Sequence, residues 1–438
     1  MKSDTAFRRH HAIITGIGYF LDGYNITVIA VFTYILATYH IFPYSSLGIG
    51  LASGSALLGA GIGSWVFGHY SDRFGRRHLF LAYLSPFVLI PIFIAFSQNV
   101  AEVIILRAIL GVSIGADYAI GPVYSMEMSN EMDRGRMSGF IWAFWSLGAS
   151  LAFMIGFLSL TFLGTVAWRI SFGVVALPAM ILLVLKLRLP ESNRWLNADN
   201  IKRSDSGNAD GTFRRKQNKP TGMGVLFRGD LGKRTAIVWI PWILLDVGSY
   251  GFGLYGPIII GSLGFRGANS FLLTSLFYTV GFMFAIASTK WNDRFGRKVT
   301  QAFGFGFMGI GLGLLVLTSF SMGAVAIILS FSGLALWYGM ENMGPANTLK
   351  LYAVELFPTR LRSTSMGAAT SVTRFVSFLS AFEFPFLVEY IGERGFFIFL
   401  IVFMVSALLF TLGAVPETKG LTLDEISVSR YRRGKFNR

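Results

Sequence analysis

The sequence predicts an all-α membrane protein with twelve transmembrane helices in two six-helix halves. Three observations support this prediction. Of the 438 residues, 53% are hydrophobic and 14% are charged, a composition that suits lipid better than water. Apolar runs long enough to cross about 30 Å of hydrocarbon recur along the whole chain. Several short motifs also occur once in each half, which indicates an internal repeat.

We number the predicted spans 1 to 12 in chain order. Spans 1 to 6 cover residues 12–38, 47–68, 79–97, 101–126, 137–160 and 168–187. Spans 7 to 12 cover residues 235–262, 269–289, 299–319, 323–349, 364–388 and 396–415. Because lipid offers the backbone no hydrogen-bond partner, apolar runs of this length must be helical.

The chain divides into four segments. Residues 1–188 form the N-terminal half and residues 234–416 the C-terminal half. Residues 189–233 are polar, basic and rich in Ser, Asn and Gly, which predicts a cytoplasmic linker. Residues 417–438 form a basic cytoplasmic tail.

Basic residues predict the orientation, since Lys and Arg are retained on the cytoplasmic side. Of the 38 in the chain, those outside the terminal tails and the even-to-odd loops are Arg107, Arg169, Arg266, Arg374 and Arg394. We therefore expect a multi-pass protein of the cell membrane with both termini cytoplasmic. The net charge of +15 accompanies no nucleic-acid motif, so we expect membrane lipid as a partner and no nucleic acid.

The internal repeat includes charged motifs at the predicted cytoplasmic end. The segment DRFGR follows span 2 and returns unchanged after span 8, and PES after span 6 returns as PET after span 12. A Glu and an Arg follow span 4, and the same spacing returns after span 10. We interpret these charges as a conformational switch made of Asp72, Arg73, Arg76, Glu127, Arg134, Asp293, Arg294, Arg297, Glu355 and Arg362.

Four acidic residues interrupt the spans at equivalent positions of the two halves. Asp22 in span 1 corresponds to Asp246 in span 7, and Asp117 in span 4 corresponds to Glu341 in span 10. An ionisable side chain at this depth is costly unless it faces a wet cavity or a partner. We expect all four to serve proton coupling at a central cavity. Ion-paired residues that join helices are the alternative.

Basic residues inside the spans raise a second question. Arg374 is expected near the middle of the bilayer, where it can pair with an acid or bind an anion. Arg107 lies about 15 Å from Asp117 along the same helix, so a direct pair between them is excluded. Lys350, near the end of span 10, is expected to extend to the cytoplasmic surface.

Other chemistry finds little support in the sequence. The chain has no cysteine, and its five histidines are not grouped with acids at metal-ligand spacing. Gly-rich stretches such as GFGFMGIGLG are typical of closely packed membrane helices rather than of nucleotide loops. We therefore expect no enzyme activity, no catalytic residue, no metal and no other cofactor.

Several motifs carry a family resemblance over nearly the whole chain. GHYSDRFGRR and NDRFGRK resemble the signature of the major facilitator superfamily, which implies that fold and transport by alternating access. PESNRWL and PETKGLTLDE are similar to sugar-porter signatures, but sugar porters carry an acid after Gly-Tyr in span 1, where this chain has Asn25. GADYAI, WILLDVGSYG and NMGPANTLKLYAVELFPTRLRSTSMG resemble the phosphate:proton symporter family more closely.

The phosphate-family resemblance implies a set of substrate contacts. In this sequence the positions are Tyr118, Trp145, Trp242, Asp246, Tyr250, Asn342 and Arg374, with Trp145 standing where that family has a Gln. The three residues from span 7 share one helical face, which independently supports a common site.

These expectations combine into one hypothesis with stated alternatives. We expect a monomeric, proton-coupled symporter of a small anion, inorganic phosphate first. Asp246 binds proton and substrate together, Asp22 and Asp117 relay protons, and Arg374 supplies compensating charge. A symporter of a sugar or an organic-acid metabolite is the alternative. A non-transporting membrane sensor on the same fold is the alternative of another class.

Overall fold

The computed structural model describes residues 2–74, 77–128, 134–186, 223–262, 264–358, 361–421 and 425–426. Their regular secondary structure is helical, and these ranges contain no β-strand. Most of the predicted linker and the end of the predicted tail lie outside them.

Helices coincide with all six predicted spans of the N-terminal half. Span 1 consists of two helices, Lys2–Thr27 and Ile29–Tyr39. Spans 2 to 5 are the helices Ser46–Phe74, Arg77–Ala95, Val100–Met128 and Arg134–Leu163. A short 3₁₀ turn, Gly164–Val166, leads to span 6, which consists of Ala167–Gly173 and Ala176–Lys186.

The C-terminal half repeats this plan after a 3₁₀ turn at Met223–Phe227. Its helices, in the order of spans 7 to 12, are Gly229–Leu254 with Gly256–Ser262, Ala268–Phe295, Arg297–Thr318, Gly323–Met343 with Pro345–Glu355, and Arg362–Ala414. The last helix contains spans 11 and 12 and is interrupted at Gly392, whose φ of 70° suits a residue without a Cβ.

The number of helices agrees with twelve spans. In the described part of the chain, nine helical stretches are long and apolar enough to cross a membrane. Two of them, Arg136–Lys186 and Arg362–Ala414, each contain two predicted spans. A shorter apolar helix, Ala82–Ala95, accounts for span 3.

Three spans break near the middle of the molecule. Span 1 breaks at Val28, span 7 at Tyr255 and span 10 at Gly344. Pro257 and Pro345 lie in the first turn after the last two breaks, where a residue with a fixed φ and no N–H is well tolerated. A Gly-Pro pair occurs at the breaks in spans 7 and 10.

Spans 2 and 11 form the first antiparallel contact between the halves. A Cβ added at Gly50 would lie 3.0 Å from Phe382, and one added at Gly68 would lie 2.8 Å from the Cα of Gly367. Small residues therefore allow these two helices to approach closely from one end of the bundle to the other.

Spans 5 and 8 form the second antiparallel contact. The Ser150 hydroxyl donates to the carbonyl of Ser275 at 3.0 Å and lies 2.8 Å from the hydroxyl of Thr279. Gly156, farther along span 5, packs against Phe271. The two helix pairs hold the halves together on either side of the molecular centre.

Candidate substrate-binding site

A cavity lies between the halves where the three spans break. It is lined by Ile26 and Thr27, just before the break in span 1, and by Leu254 and Ala346, beside the breaks in spans 7 and 10. Interrupted helices leave backbone polar groups without helical partners, and at membrane depth such groups are tolerated beside a cavity. The breaks therefore mark the candidate site.

Aromatic side chains form much of the cavity wall. Trp142 and Trp145 come from span 5, Trp242 and Tyr250 from span 7, and Tyr278 from span 8. The rings of Trp142 and Trp145 stack with centroids 5.0 Å apart and an interplanar angle of 13°. An aromatic wall of this kind can bind the apolar part of a ring-shaped ligand.

Two predicted substrate residues support this wall from behind. The Trp145 indole donates to the Tyr118 hydroxyl at 2.6 Å. The side-chain carbonyl of Asn342 accepts from the Trp142 indole at 2.9 Å and from the Ser146 hydroxyl at 2.6 Å. Neither Tyr118 nor Asn342 lines the cavity. Their hydrogen bonds instead fix the orientation of the two indoles.

Asp246 lines the cavity and is held by two donors from span 11. Arg374 Nη2 donates to Asp246 Oδ2 at 2.8 Å, and the Ser377 hydroxyl donates to the same oxygen at 2.9 Å. The Arg374 guanidinium lies over the rings of Tyr250 and Tyr118, 4.3 Å and 5.4 Å from their centroids. A carboxylate therefore already balances the charge of Arg374.

The cavity also contains Glu341 and Lys350, both from span 10. The expectation that Lys350 extends to the cytoplasmic surface is wrong. Its side chain is buried, its Nζ lies 3.2 Å from the centroid of the Trp142 ring, and it donates to the Ala346 carbonyl at 2.7 Å. The break at Gly344 turns the second segment of span 10 so that this ammonium faces the site, where an indole can stabilise it.

The acids of the N-terminal half lie apart from the cavity. Asp117 pairs with Lys186 at 2.7 Å and accepts a hydrogen bond from the Tyr83 hydroxyl. Asp22 is fully buried, and within the described part of the chain neither of its carboxylate oxygens has a hydrogen-bond partner. Asp22 lies one turn after Gly18, against which Asp117 packs. The four acids thus do not share one cavity, because Asp117 is paired with residues of spans 3 and 6 and Asp22 is not part of the cavity lining.

Arg107 makes no pair with Asp117, as the spacing requires. Its Nη1 donates to the carbonyl of Asn25 at 3.0 Å, and its Nε donates to the carbonyl of Ala52 at 3.2 Å. The Asn25 side chain donates to the carbonyl of Leu21 in its own helix. A backbone carbonyl, rather than an acid, therefore receives the Arg107 guanidinium at this position of span 1.

Lys186 is the partner of Asp117, and the sequence does not identify it. We expect it among the cytoplasmic loop cations, but it is buried and donates to both Asp117 and Tyr83. A lysine at the end of an apolar run is equally typical of a loop. Only the packing of spans 3, 4 and 6 reveals its partner.

The C-terminal group of predicted switch residues lies at one end of the bundle. Arg297 Nη2 lies 3.6 Å from Glu355 Oε1, and Arg297 Nη1 lies 3.7 Å from Asp293 Oδ1. Arg362 donates to the Phe357 carbonyl through its Nε at 3.2 Å. These contacts connect the ends of spans 8 to 11. The Arg294 guanidinium lies over the ring of Phe295.

Glu417, the acid of the PET motif, lies at the same end of the bundle and caps the N-terminus of span 9. The Glu417 carboxylate accepts the backbone N–H groups of Arg297 at 2.9 Å and Lys298 at 3.1 Å, which begin span 9. The next residue, Thr418, donates to Glu355 at 2.6 Å. An acid at a helix N-terminus satisfies free amides and complements the helix dipole. The segment after span 12 thus stabilises the switch group.

The N-terminal counterpart of this group stays a prediction. Arg76 lies outside the described residues. The same holds for the side chains of Asp72, Arg73, Glu127 and Arg134.

Two helical halves around a central cavity at broken helices define the class of secondary membrane transporters. The chain belongs to the family described as "Sugar (and other) transporter", which it matches over residues 11–429. It is 29% identical to the putative metabolite transport protein YaaU of Escherichia coli (strain K12), over 94% of this chain and 92% of that protein. It is 30% identical to the probable metabolite transport protein CsbC of Bacillus subtilis (strain 168), over 99% and 97%.

Solved structures share the architecture. The proton:xylose symporter XylE bound to 6-bromo-6-deoxy-D-glucose superposes with a TM-score of 0.80 at 23% identity, over 97% of this chain and 99% of that one. The inward open conformation of XylE from E. coli gives a TM-score of 0.71 at 24% identity, over 95% and 98%. The predicted major facilitator fold is confirmed.

The comparisons also decide between some of the functional expectations. The chain is an integral membrane transporter and not an enzyme, as its transporter relatives indicate. The preference for inorganic phosphate is not supported, and the sugar or metabolite alternative agrees better with the family. The cation expected to bind the anion, Arg374, is paired with Asp246. The cytoplasmic location of the termini stays a prediction.

Proposed function

We propose that this protein is a proton-coupled symporter that moves a sugar or a related polyhydroxylated metabolite across the cell membrane by alternating access. The names of its relatives support this. They include the arabinose-proton symporters of B. subtilis and E. coli, at 27% and 28% identity, and the glucose transporter GlcP of Staphylococcus epidermidis, at 25%. A probable 4-methylmuconolactone transporter of Cupriavidus pinatubonensis, at 24%, shows that related chains differ in substrate.

One observation supports a sugar or related metabolite as the substrate, namely that indoles and carboxylates line the same cavity. The rings of Trp142, Trp145, Trp242 and Tyr250 offer apolar surface to the C–H groups of a sugar ring. Asp246 and Glu341 offer oxygens that accept hydrogen bonds from its hydroxyl groups. Phosphate presents no apolar face to these rings.

Asp22 is our first candidate for the proton-carrying residue. It can gain or lose a proton without breaking a hydrogen bond or an ion pair to any residue the structure describes. Asp117 and Asp246 would each have to separate from a cation, Lys186 or Arg374. Buried acids of this kind are typical of proton pathways in transporters.

Glu341 is the second candidate, because it borders the substrate. It lies in the cavity with Asp246 and Lys350. A protonated Glu341 can donate a hydrogen bond to a substrate oxygen, whereas an ionised one can only accept. Proton binding and substrate binding are then mutually favourable at this residue.

Alternating access requires the two halves to move against each other around the cavity. The antiparallel pairs formed by spans 2 and 11 and by spans 5 and 8 supply the sliding surfaces. Opening these pairs at one end admits the substrate, and opening them at the other end releases it. Contacts between Arg297, Glu355 and Glu417 stabilise one of these arrangements.

The test is uptake of labelled L-arabinose, D-xylose, D-glucose, D-glucuronate and phosphate into proteoliposomes with an alkaline interior. We expect accumulation of at least one sugar or sugar derivative, its loss in Asp246→Asn, and no accumulation of phosphate. Glu389→Gln, which changes an exposed acid of the same half, serves as the matched control. Phosphate accumulation without sugar uptake would contradict the proposal. Substrate binding without uptake by folded protein would favour the sensor alternative.

A further inference from the structure

Lys350 is a buried cation in the cavity that the contacts assigned above leave unused. Its side chain is 6% exposed, and its Nζ donates to the Ala346 carbonyl in its own helix. Among the residues that the structure describes, no carboxylate oxygen lies within 4.0 Å of this Nζ. An ammonium has three donors, so one remains beyond those that face the Ala346 carbonyl and the Trp142 ring.

Two indoles fix the position of this ammonium. The Nζ lies 3.2 Å from the centroid of the Trp142 ring and 5.6 Å from that of the Trp242 ring. Cation–π contacts orient a cation but do not neutralise it. Asp246 balances the charge of Arg374, whereas the charge of Lys350 has no such direct partner.

Glu341, the second acid of the cavity, can accept hydrogen bonds from a ligand, whereas Lys350 can only donate them. Glu341 lies in the same cavity but beyond ion-pair distance of Lys350. The site therefore offers a cationic group beside Trp142 and a separate group of carboxylate oxygens from Glu341 and Asp246. A ligand that matches both needs one anionic group and several hydroxyl donors.

We propose that the substrate is a sugar acid, a polyhydroxylated monocarboxylate whose carboxylate binds Lys350. Its carbon skeleton packs against the aromatic wall of the cavity, and its hydroxyl groups donate to Glu341 and Asp246. This inference rests on the proposed function and narrows its substrate class. A neutral sugar would leave the Lys350 charge desolvated and unpaired, which is costly. A second carboxylate on the ligand would be repelled by Glu341.

Matched pairs of ligands test the inference on the purified full-length protein by isothermal titration calorimetry. The pairs are D-glucuronate with D-glucose, D-galacturonate with D-galactose, and D-xylonate with xylitol. We expect at least one acid to bind about tenfold more tightly than its neutral partner, the discrimination of one charge-assisted hydrogen bond. Lys350→Met should abolish this preference. Lys350→Arg keeps the charge and should retain part of the preference.

The outcomes separate this inference from the proposed function. Neutral sugars that bind as tightly as their acids, or a preference for acids that survives in folded Lys350→Met, would overturn the sugar-acid inference and leave sugar transport standing. No binding of any sugar or sugar acid by the folded wild-type protein would contradict both. Thermal unfolding verifies that each variant is folded. If Lys350→Met does not fold, the inference is tested by the ratio of the Kd values of acid and neutral partner in the wild-type protein and in Lys350→Arg.

Discussion

Arg374 in span 11 and Asp246 in span 7 form a buried ion pair, with Nη2 and Oδ2 2.8 Å apart. Ser377, in the turn after Arg374, donates to the same oxygen, which leaves the other Asp246 oxygen free of these two donors. The pair joins the broken span 7 to its neighbour at the level of the cavity. It also means that the mid-membrane arginine acts through Asp246 rather than as an open anion site.

Removal of one member of this pair should destabilise the protein. Arg374→Met leaves the Asp246 carboxylate buried without its cation, and losses of about 3–5 kcal/mol are typical of such changes. We expect a lower midpoint of thermal unfolding in detergent and loss of uptake. The double variant Asp246→Asn/Arg374→Met removes both charges and should recover most of the stability. A double variant as unstable as Arg374→Met would show that the pair is not the cause.

Asp22→Asn should abolish proton-driven accumulation of substrate while substrate exchange across the membrane continues. The variant keeps the size of the side chain and removes the exchangeable proton, so substrate counterflow should continue while gradient-driven accumulation is lost. Both are measured with labelled sugar or sugar acid in the same proteoliposomes.

Asp117→Asn provides the comparison for Asp22→Asn. It leaves Lys186 without its carboxylate, so we expect reduced thermal stability in addition to any change in transport. If both variants lose stability and counterflow equally, Asp22 has no distinct role in coupling.

Asn342→Ala tests whether the indole wall must be held in place. The variant removes the acceptor of both the Trp142 indole and the Ser146 hydroxyl. We expect substrate affinity to fall about five- to tenfold, the effect of one lost hydrogen bond, with a change in tryptophan fluorescence. Thr161→Ala, on the exposed side of span 5, is the control. Unchanged affinity in Asn342→Ala would show that the wall orients itself without this residue.

Gly68→Ala tests the sliding contact between spans 2 and 11. A Cβ at this position would lie 2.8 Å from the Cα of Gly367, so the helices must separate to accommodate it. We expect slower counterflow with little change in substrate affinity. Gly313→Ala is a matched control in a helix, because a Cβ there meets nothing within 4 Å. Equal rates in both variants would argue against close approach as a requirement for transport.

The helical part of the fold could be predicted because lipid restricts the backbone to few solutions. Apolar run length and the repeated motifs give the spans and the two halves without knowledge of side-chain contacts. The breaks in spans 7 and 10 can also be recognised in the local sequence, since a Gly-Pro pair occurs at both.

The candidate site could be predicted only in part. Asp246, Trp242, Tyr250 and Glu341 do line the cavity, because an acid or a helical face within an apolar span must be enclosed by protein. The different surroundings of Asp22 and Asp117, and the inward position of Lys350, depend on which helices meet. Spacing along one helix does not contain that information.

The preference for phosphate failed for a related reason. Short motifs in spans 4, 7 and 10 describe residue types that are compatible with several substrates. The Arg374 guanidinium could bind phosphate only if no acid neutralised it, and the partner, Asp246, lies more than a hundred residues away in the sequence. A tertiary contact therefore changes the substrate class that the motif implies.

The coupling of substrate to protons is tested most directly by substrate-driven proton movement. Proteoliposomes that contain a pH-sensitive dye are mixed with external sugar or sugar acid in the absence of a pH gradient. We predict acidification of the interior in wild-type vesicles and none in Asp22→Asn vesicles that still exchange labelled substrate. Uptake of labelled substrate by wild-type vesicles without acidification would contradict proton-coupled symport.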